Sequence, residues 1–219
     1  MTIPFDRSFG YIFKSPRWVS TLLIGAGFSF LSFLLIGLPF LNGYLIKLVR
    51  FRLKGSEDLP DWSDLGQIFV DGMKFLLVAA IHTLPFVLIA GLVFLGNIVV
   101  EENETAGLIL LLAVFPLQVL LMFYSVWLAL VYLFIYYVIA SDLPLSHAFH
   151  HGKFWRVLKQ DWANALLALL FSYLGGIISS LGFLAFIVGW FFTLPYYIMV
   201  SGDIYGRLLK HWQDQKLLA

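Results

Sequence analysis

Residues 18–54 read WVSTLLIGAGFSFLSFLLIGLPFLNGYLIKLVRFRLK, and the number of times this stretch crosses a bilayer decides the fold. The apolar run from Trp18 to Ile46 exceeds the ~20 residues that one straight helix needs, yet is short for two. Charge settles what length leaves open, because Lys and Arg favour the cytoplasmic ends of spans. One crossing would place Lys47, Arg50, Arg52 and Lys54 opposite Arg7, Lys14 and Arg17. A tight hairpin turning near Gly37-Leu38-Pro39 puts both groups on one side, its arms borrowing residues up to about Arg52. A re-entrant pair that only dips into the bilayer is the rival arrangement.

Three further apolar blocks follow: Phe75 to Val100, Ala106 to Ala140 and Ala163 to Val200. The second and third fit one span each, the third tilted or extended past the interface. The fourth is too long for one helix and contains Gly175, Gly176, Ser179, Ser180 and Gly182, where a hairpin can turn. This layout puts the acidic loop Glu101-Glu102-Asn103-Glu104 outside. The connector 141–161 and the tail from Arg207 fall inside, together with all 14 Lys and Arg. The expectation is an all-α polytopic bundle of six spans, as three hairpins over about 18–52, 74–140 and 162–206. It forms a single membrane domain in the cell membrane, with both termini cytoplasmic.

Composition agrees. The chain of 219 residues is 61% hydrophobic, 18% aromatic and 12% charged, against about 25% charged in soluble domains. A net charge of +1 gives no reason to expect nucleic acid. The absence of cysteine excludes disulfides, thiolate metal sites and cysteine nucleophiles. The first 18 residues spread their charges through an aromatic stretch with no A-x-A-like cleavage site, so they read as retained.

Each hairpin is preceded by a segment with apolar residues at helical spacing. Phe5, Phe9 and Phe13 recur every four residues within 5–16. Trp62, Leu65, Phe69 and Met73 form a stripe in 61–74, opposed by Asp61, Asp64, Asp71 and Lys74. Leu145, Phe149, Gly152, Trp155 and Leu158 share a face in 145–160. Such segments suit amphipathic helices lying in the interface plane. Two connectors also echo one another, Asp58-Leu59-Pro60 and Asp142-Leu143-Pro144, and each proline reads as a helix start.

At Gly43-Tyr44, Arg50, Leu59-Pro60-x-Trp62 and Phe69-x-x-Gly72-x-Lys74 the chain resembles the multipass bacterial and archaeal membrane proteins grouped as domain of unknown function 4013. The likeness is sharpest over 43–85 and extends by span layout to the whole chain. It implies an all-helical membrane fold and nothing catalytic, because the group has no established activity, ligand set or active site to carry over. The Gly, Pro and Trp of the motif read as a turn, a helix start and an interface anchor.

Chemistry is sparse. Charge at bilayer depth is costly and usually functional, but the apolar blocks contain no Asp, Glu, Lys or Arg. Asp203 is expected near the inner end of the last span, within reach of water. Polar residues within spans, Asn42, Asn97, Gln118 and His82 among them, suit hydrogen bonds between helices. No cofactor is required; His82, three residues before Pro85, is the residue at which a haem or chlorophyll-type pigment would attach. His147 and His151 stand at i, i+4, yet lack an accompanying carboxylate at ligand spacing, so no metal site is read. With His150, Lys153, Arg156 and Lys159 they form a basic face that suits lipid headgroups or a partner, at about 1 kcal/mol per basic residue near an anionic surface. Lys47, Arg50 and Arg52 suit the same role. Asp61, Asp64 and Asp71 read as a solvated acidic face, or one docked near Lys153. Gly202-x-x-x-Gly206 matches a close-packing pattern that arises often by chance.

The expected function is therefore a non-catalytic structural or accessory subunit whose partners are the bilayer and other membrane proteins or copies of itself. The alternative is a transporter or channel for an uncharged or amphiphilic solute, with Pro85, Pro116 and Pro195 as flexible points. An enzyme using His147, His150 or His151 as a base at the inner interface is the weakest reading.

Overall fold

The computed structural model of the chain describes residues 3–102 and 104–218, with all of their side chains except those of 95–97, 99–102, 104–111, 114 and 185–187. Asn103 and the side chains of Asn97, Glu101, Glu102 and Glu104, expected in or near the outer acidic loop, lie outside the described residues.

Among the described residues all regular structure is helical. The α-helices are α1 (Trp18–Leu31), α2 (Gly37–Leu53), α3 (Leu65–Glu102), α4 (Glu104–Ala140), α5 (His151–Gln160), α6 (Trp162–Ser180) and α7 (Phe186–Asp214). Three stretches are long and apolar enough to cross a membrane: Leu65–Phe94, Phe115–Ala140 and Trp162–Leu184. Trp18–Leu34 is a shorter apolar helix. The chain is all-helical, as expected of a helical membrane protein.

The first block folds back on itself. After Leu31 the helix tightens into a 3-10 turn, Ser32–Leu34, and Leu35 takes a left-handed φ of 63°. The reversal thus falls just before the expected Gly37-Leu38-Pro39. Gly37 opens α2, where a Cβ would overlap the Phe28 carbonyl of α1. Pro39 sits in the first turn of α2, where helical N–H groups have no intrahelical partner to lose. The fourth block breaks at a 3-10 segment, Leu181–Ala185, at the end of the Gly/Ser zone.

The chain divides into two compact units, Met1–Leu76 with Leu133–Ala219, and Leu77–Tyr132. In the first, α2 and α7 form the centre: Tyr44, Ile46, Leu48 and Val49 of α2 and Met199, Val200, Ile204 and Leu208 of α7 are fully enclosed. Glycines allow the close approach. A Cβ at Gly206 would lie 2.5 Å from Arg52 Cβ, and one at Gly202 3.3 Å from Leu48 Cβ. The Gly202-x-x-x-Gly206 match is thus a true packing face. On another side of α2, a Cβ at Gly43 would overlap the Ile68 carbonyl of α3, and one at Gly72 that of Pro39.

The segments preceding the spans differ from expectation in ways that have physical causes. Residues 5–16 form two 3-10 turns, Phe5–Phe9 and Ile12–Lys14, not an α-helix. At three residues per turn, positions four apart do not share a face. Accordingly Phe5 is buried while Phe13 is 52% exposed. Residues 61–74 are not a separate helix. An irregular stretch ends at Asp64, with φ of 60°, and α3 then runs unbroken through the expected junction, since nothing there but Gly72 disfavours a helix. Its inward face is Ile68, Asp71, Gly72 and Phe75, whereas Leu65 and Phe69 are exposed.

In 145–160 a 3-10 turn (Leu145–Phe149) precedes α5, whose buried residues are Phe154, Val157 and Leu158. Trp155 and Phe149 point outward. The two prolines also differ. Pro144 caps the 3-10 turn, while Pro60 stands five residues ahead of α3.

In the second unit α4 bonds to α3 beside Pro85. The Tyr124 hydroxyl donates to the His82 carbonyl (2.7 Å), and Thr83 Oγ1 lies 2.5 Å from the Tyr132 hydroxyl. Because Thr83 donates its one proton to the Ala79 carbonyl, Tyr132 is the donor in that pair.

Candidate functional site

The polar chemistry of the first unit gathers where α2 and α4 end and α3 begins, and along the last turns of α7. Arg52, in the final turn of α2, is 3% exposed. Its Nε donates to Asp203 of α7, and its Nη1 donates to the carbonyls of Ser56 and Asp58 (3.3 Å for Asp58). The guanidinium lies 4.8 Å above the Tyr11 ring, a cation–π contact. Asp203, fully buried, also accepts from Arg207 Nε at 2.7 Å. Arg207 in turn donates from both terminal nitrogens to Glu57, at 3.2 and 2.5 Å. Two cations and two carboxylates therefore neutralise each other across α2, its following loop and α7. Burial opposes the charge on Arg207, yet the hydrogen bond and charge of Asp203, then those of Glu57, raise its pKa above the ordinary arginine value. The Tyr11 hydroxyl donates to the Met199 carbonyl at 3.3 Å; burial, then the charge of Asp203, pushes its pKa well up.

Arg50 makes a second junction. It donates to Asp71 of α3 (2.9 Å), to Asp142 (3.0 Å), and to the Ile139 and Ala140 carbonyls (3.1 and 3.2 Å) that close α4. A guanidinium suits this place because the last carbonyls of a helix have no intrahelical donors and carry partial negative charge. Asp71, 1% exposed, also accepts from Gln67 (2.8 Å). Lys47 organises the loop before α3, donating to Asp61 and to the carbonyls of Asp61 and Ser63. Hydrogen bonds from Ser63 and Lys47 hold the Asp61 carboxyl down at about 2.

The α2–α3 loop is clamped as well. Tyr44 donates to the Pro60 carbonyl (2.6 Å), its ring stacks on Trp62 (4.1 Å), and Trp62 Nε1 donates to the Thr21 carbonyl (3.0 Å). Gly43, Tyr44, Pro60, Trp62 and Gly72 therefore hold the loop and the start of α3 against α2 in one packed junction. Arg50 ties Asp71 to the end of α4, and Lys74 lies 3.5 Å from the same Asp71. The family model described as Protein of unknown function (DUF4013) matches residues 27–194, which include this junction. The chain belongs to the DUF4013 family. No curated protein and no solved structure matches it. The motif through which it resembles DUF4013 proteins thus has a different physical role from the one expected. Gly43 is a close contact rather than a turn, Pro60 an acceptor rather than a helix start, and Trp62, 7% exposed, an internal clamp rather than an interface anchor.

The expected site residues separate into two groups. Lys47, Arg50 and Arg52 point into the junctions just described; Arg52 is enclosed and is no headgroup contact. Asp203 is likewise shut from water, and Asp71 belongs to no solvated acidic face, because each carboxylate is itself buried against a guanidinium. Lys153, Arg156 and Lys159 do line the exposed side of α5, where Lys159 Nζ lies 5.6 Å from the Trp155 ring centre.

His147 Nδ1 lies 3.2 Å from the Pro144 carbonyl and His150 Nδ1 2.8 Å from that of Ser146; the half-buried His151 opens α5. Among the described residues no three His or acidic groups are placed to share an ion. His82 is half-buried, with Nδ1 2.9 Å from the Val78 carbonyl of its own helix.

Sequence reasoning missed Tyr11, Glu57 and the pairing of Asp203 with Arg207. The Asp-x-x-x-Arg spacing of the last two was the available signal.

Proposed function

We propose that this DUF4013 chain is a non-catalytic multipass protein of the cell membrane, an accessory or scaffolding subunit that packs with other membrane proteins or with lipid. Its three hairpins form six crossings, with the charged junctions on the cytoplasmic side. One observation carries the reading. The buried charges Arg52, Asp71 and Asp203 are all held in ion pairs within the two junctions, and no Asp, Glu, Lys or Arg occurs in 18–46, 75–94, 115–140 or 162–200. A coupled carrier or pump needs titratable groups along its path; here they are fixed as ties between helices.

The absence of cysteine makes the test clean. Single cysteines at Ser32, Asn103 and Leu184 should react with a membrane-impermeant maleimide in intact cells, whereas those at Ser56, Ser146 and Gln215 should react only after lysis. Purified protein in liposomes should leave solute flux at the empty-vesicle rate. Faster flux of uncharged solutes would establish the transporter instead.

A further inference from the structure

A cavity of about 690 Å³ opens beside the charged junction of the first unit. Its basic side comes from one short stretch, since the two 3-10 turns ahead of α1 bring Arg7, Lys14 and Arg17 to the same wall. Facing them are Glu57, Asp58 and Asp61. Two of these acids are engaged elsewhere: Glu57 grips Arg207, and Asp61 accepts from Lys47 and Ser63. Arg17 reaches Asp61 only at 3.9 Å and is 71% exposed. Arg7 and Lys14 have no ion-pair or hydrogen-bond partner for their side chains among the described residues. The cavity therefore holds surplus positive charge, with Asp58 as the one acid not already engaged. Phe51 and Leu59 add an apolar wall. The volume lies within the 300–1,000 Å³ usual for small-ligand sites.

We propose that this cavity binds the phosphate group of an anionic phospholipid, with Arg7, Lys14 and Arg17 as its ligands. The cavity lies at the open end of the first hairpin, between the residue preceding α1 and the last turn of α2, where the membrane surface falls in the reading above, on which this proposal rests. A headgroup phosphate then meets the cations while its glycerol and upper acyl carbons meet Phe51 and Leu59. This is a separate place from the basic face of α5.

The test uses the full chain in nanodiscs of phosphatidylglycerol mixed with phosphatidylcholine, with retained lipids counted by native mass spectrometry. Wild type should retain phosphatidylglycerol preferentially. The triple variant Arg7→Gln, Lys14→Gln, Arg17→Gln should lose about fivefold in affinity per charge removed. Lys14→Gln alone, at an exposed position, should lose about fivefold if the triple variant does not fold. The α5 variant Lys153→Gln, Arg156→Gln, Lys159→Gln should lower only the loosely associated phosphatidylglycerol and leave the single most tightly retained lipid in place. An indifferent wild type, an unaffected triple variant, or a loss of that lipid confined to the α5 variant would overturn the site. Glycerol 3-phosphate binding to detergent-solubilised protein, abolished in the triple variant, would overturn the lipid assignment in favour of a soluble phosphate. The maleimide pattern separates the two ideas: indifferent lipid retention with correct labelling sinks the site alone, and reversed labelling with intact retention sinks the topology alone.

Discussion

Arg52 is an enclosed cation whose partners all come from other parts of the chain: a carboxylate 151 residues away, a turn just beyond its own helix, and the face of Tyr11. Removing one partner of such a pair leaves the other charge buried alone, at a cost of about 3–5 kcal/mol. Asp203→Asn and Arg52→Ala should each lower the melting temperature in detergent strongly. Arg52→Met with Asp203→Leu should recover much of the loss, since an apolar pair of similar volume carries no desolvation penalty. Additive losses in the double variant would show that the pair is not coupled. Asp61 gives a pH dependence of known sign. Its folded pKa, about 2, lies below the ordinary ~3.9. The stabilisation it brings to the loop is therefore full above about pH 4 and disappears as pH falls from about 4 to about 2. Trp62 fluorescence should follow that loss, and Asp61→Asn should abolish the change in this window.

Among elements, the decisive contacts are backbone against backbone. Gly72→Ala would drive a methyl into the Pro39 carbonyl, and Gly43→Ala one into that of Ile68, so α2 and α3 would have to separate. Each should cost about 1–3 kcal/mol in thermal melts, as overpacking does. Gly27→Ala, with open space around it, should cost nothing. These contacts also mark how far the sequence could be read. Where the chain reverses was legible, because apolar length and the position of Lys and Arg leave few solutions for 18–54. Which face of a helix turns inward was not. In strings as rich in Phe, Leu and Trp as 145–160, several stripes have the right spacing. The Leu145, Phe149, Gly152, Trp155 and Leu158 stripe shares only Leu158 with the Phe154, Val157 and Leu158 face that packs. The charged junctions were illegible for another reason: Arg50 meets carbonyls about ninety positions away, and backbone acceptors leave no mark in residue identity. The Gly202/Gly206 face was visible as spacing, but only its partner helix distinguishes it from chance.

For the whole molecule, the lengths of the helices set a relation to the bilayer. The 17 residues of α2 rise about 25 Å, less than the ~30 Å hydrocarbon core. The hairpin tips are apolar and exposed: Phe33, Leu34 and Leu35 at one, Phe183 and Leu184 at the other. Ring contacts of Phe33 and Phe183 with Trp190 join the two tips. The first hairpin is thus short, whereas the apolar stretches Leu65–Phe94 and Phe115–Ala140 run to 30 and 26 residues. The mismatch is local to that hairpin and favours a thinner bilayer there. Unfolding of the α1–α2 hairpin in nanodiscs should need more heat with C14 acyl chains than with C20 chains, and the reverse order would disprove the mismatch.

The pairing of Arg52 with Asp203 also has a consequence in time. A ribosome delivers the first hairpin with a cation at its base long before the acid that will neutralise it exists. Tyr11 likewise waits for the Met199 carbonyl, 188 positions on. Until α7 is made, that end of the hairpin has to remain in contact with water or with the insertion machinery. The last helix of this sequence is thus the clasp: a nascent chain stopped before residue 199 should still be open to protease near Tyr11, and one extended past residue 212 should be closed.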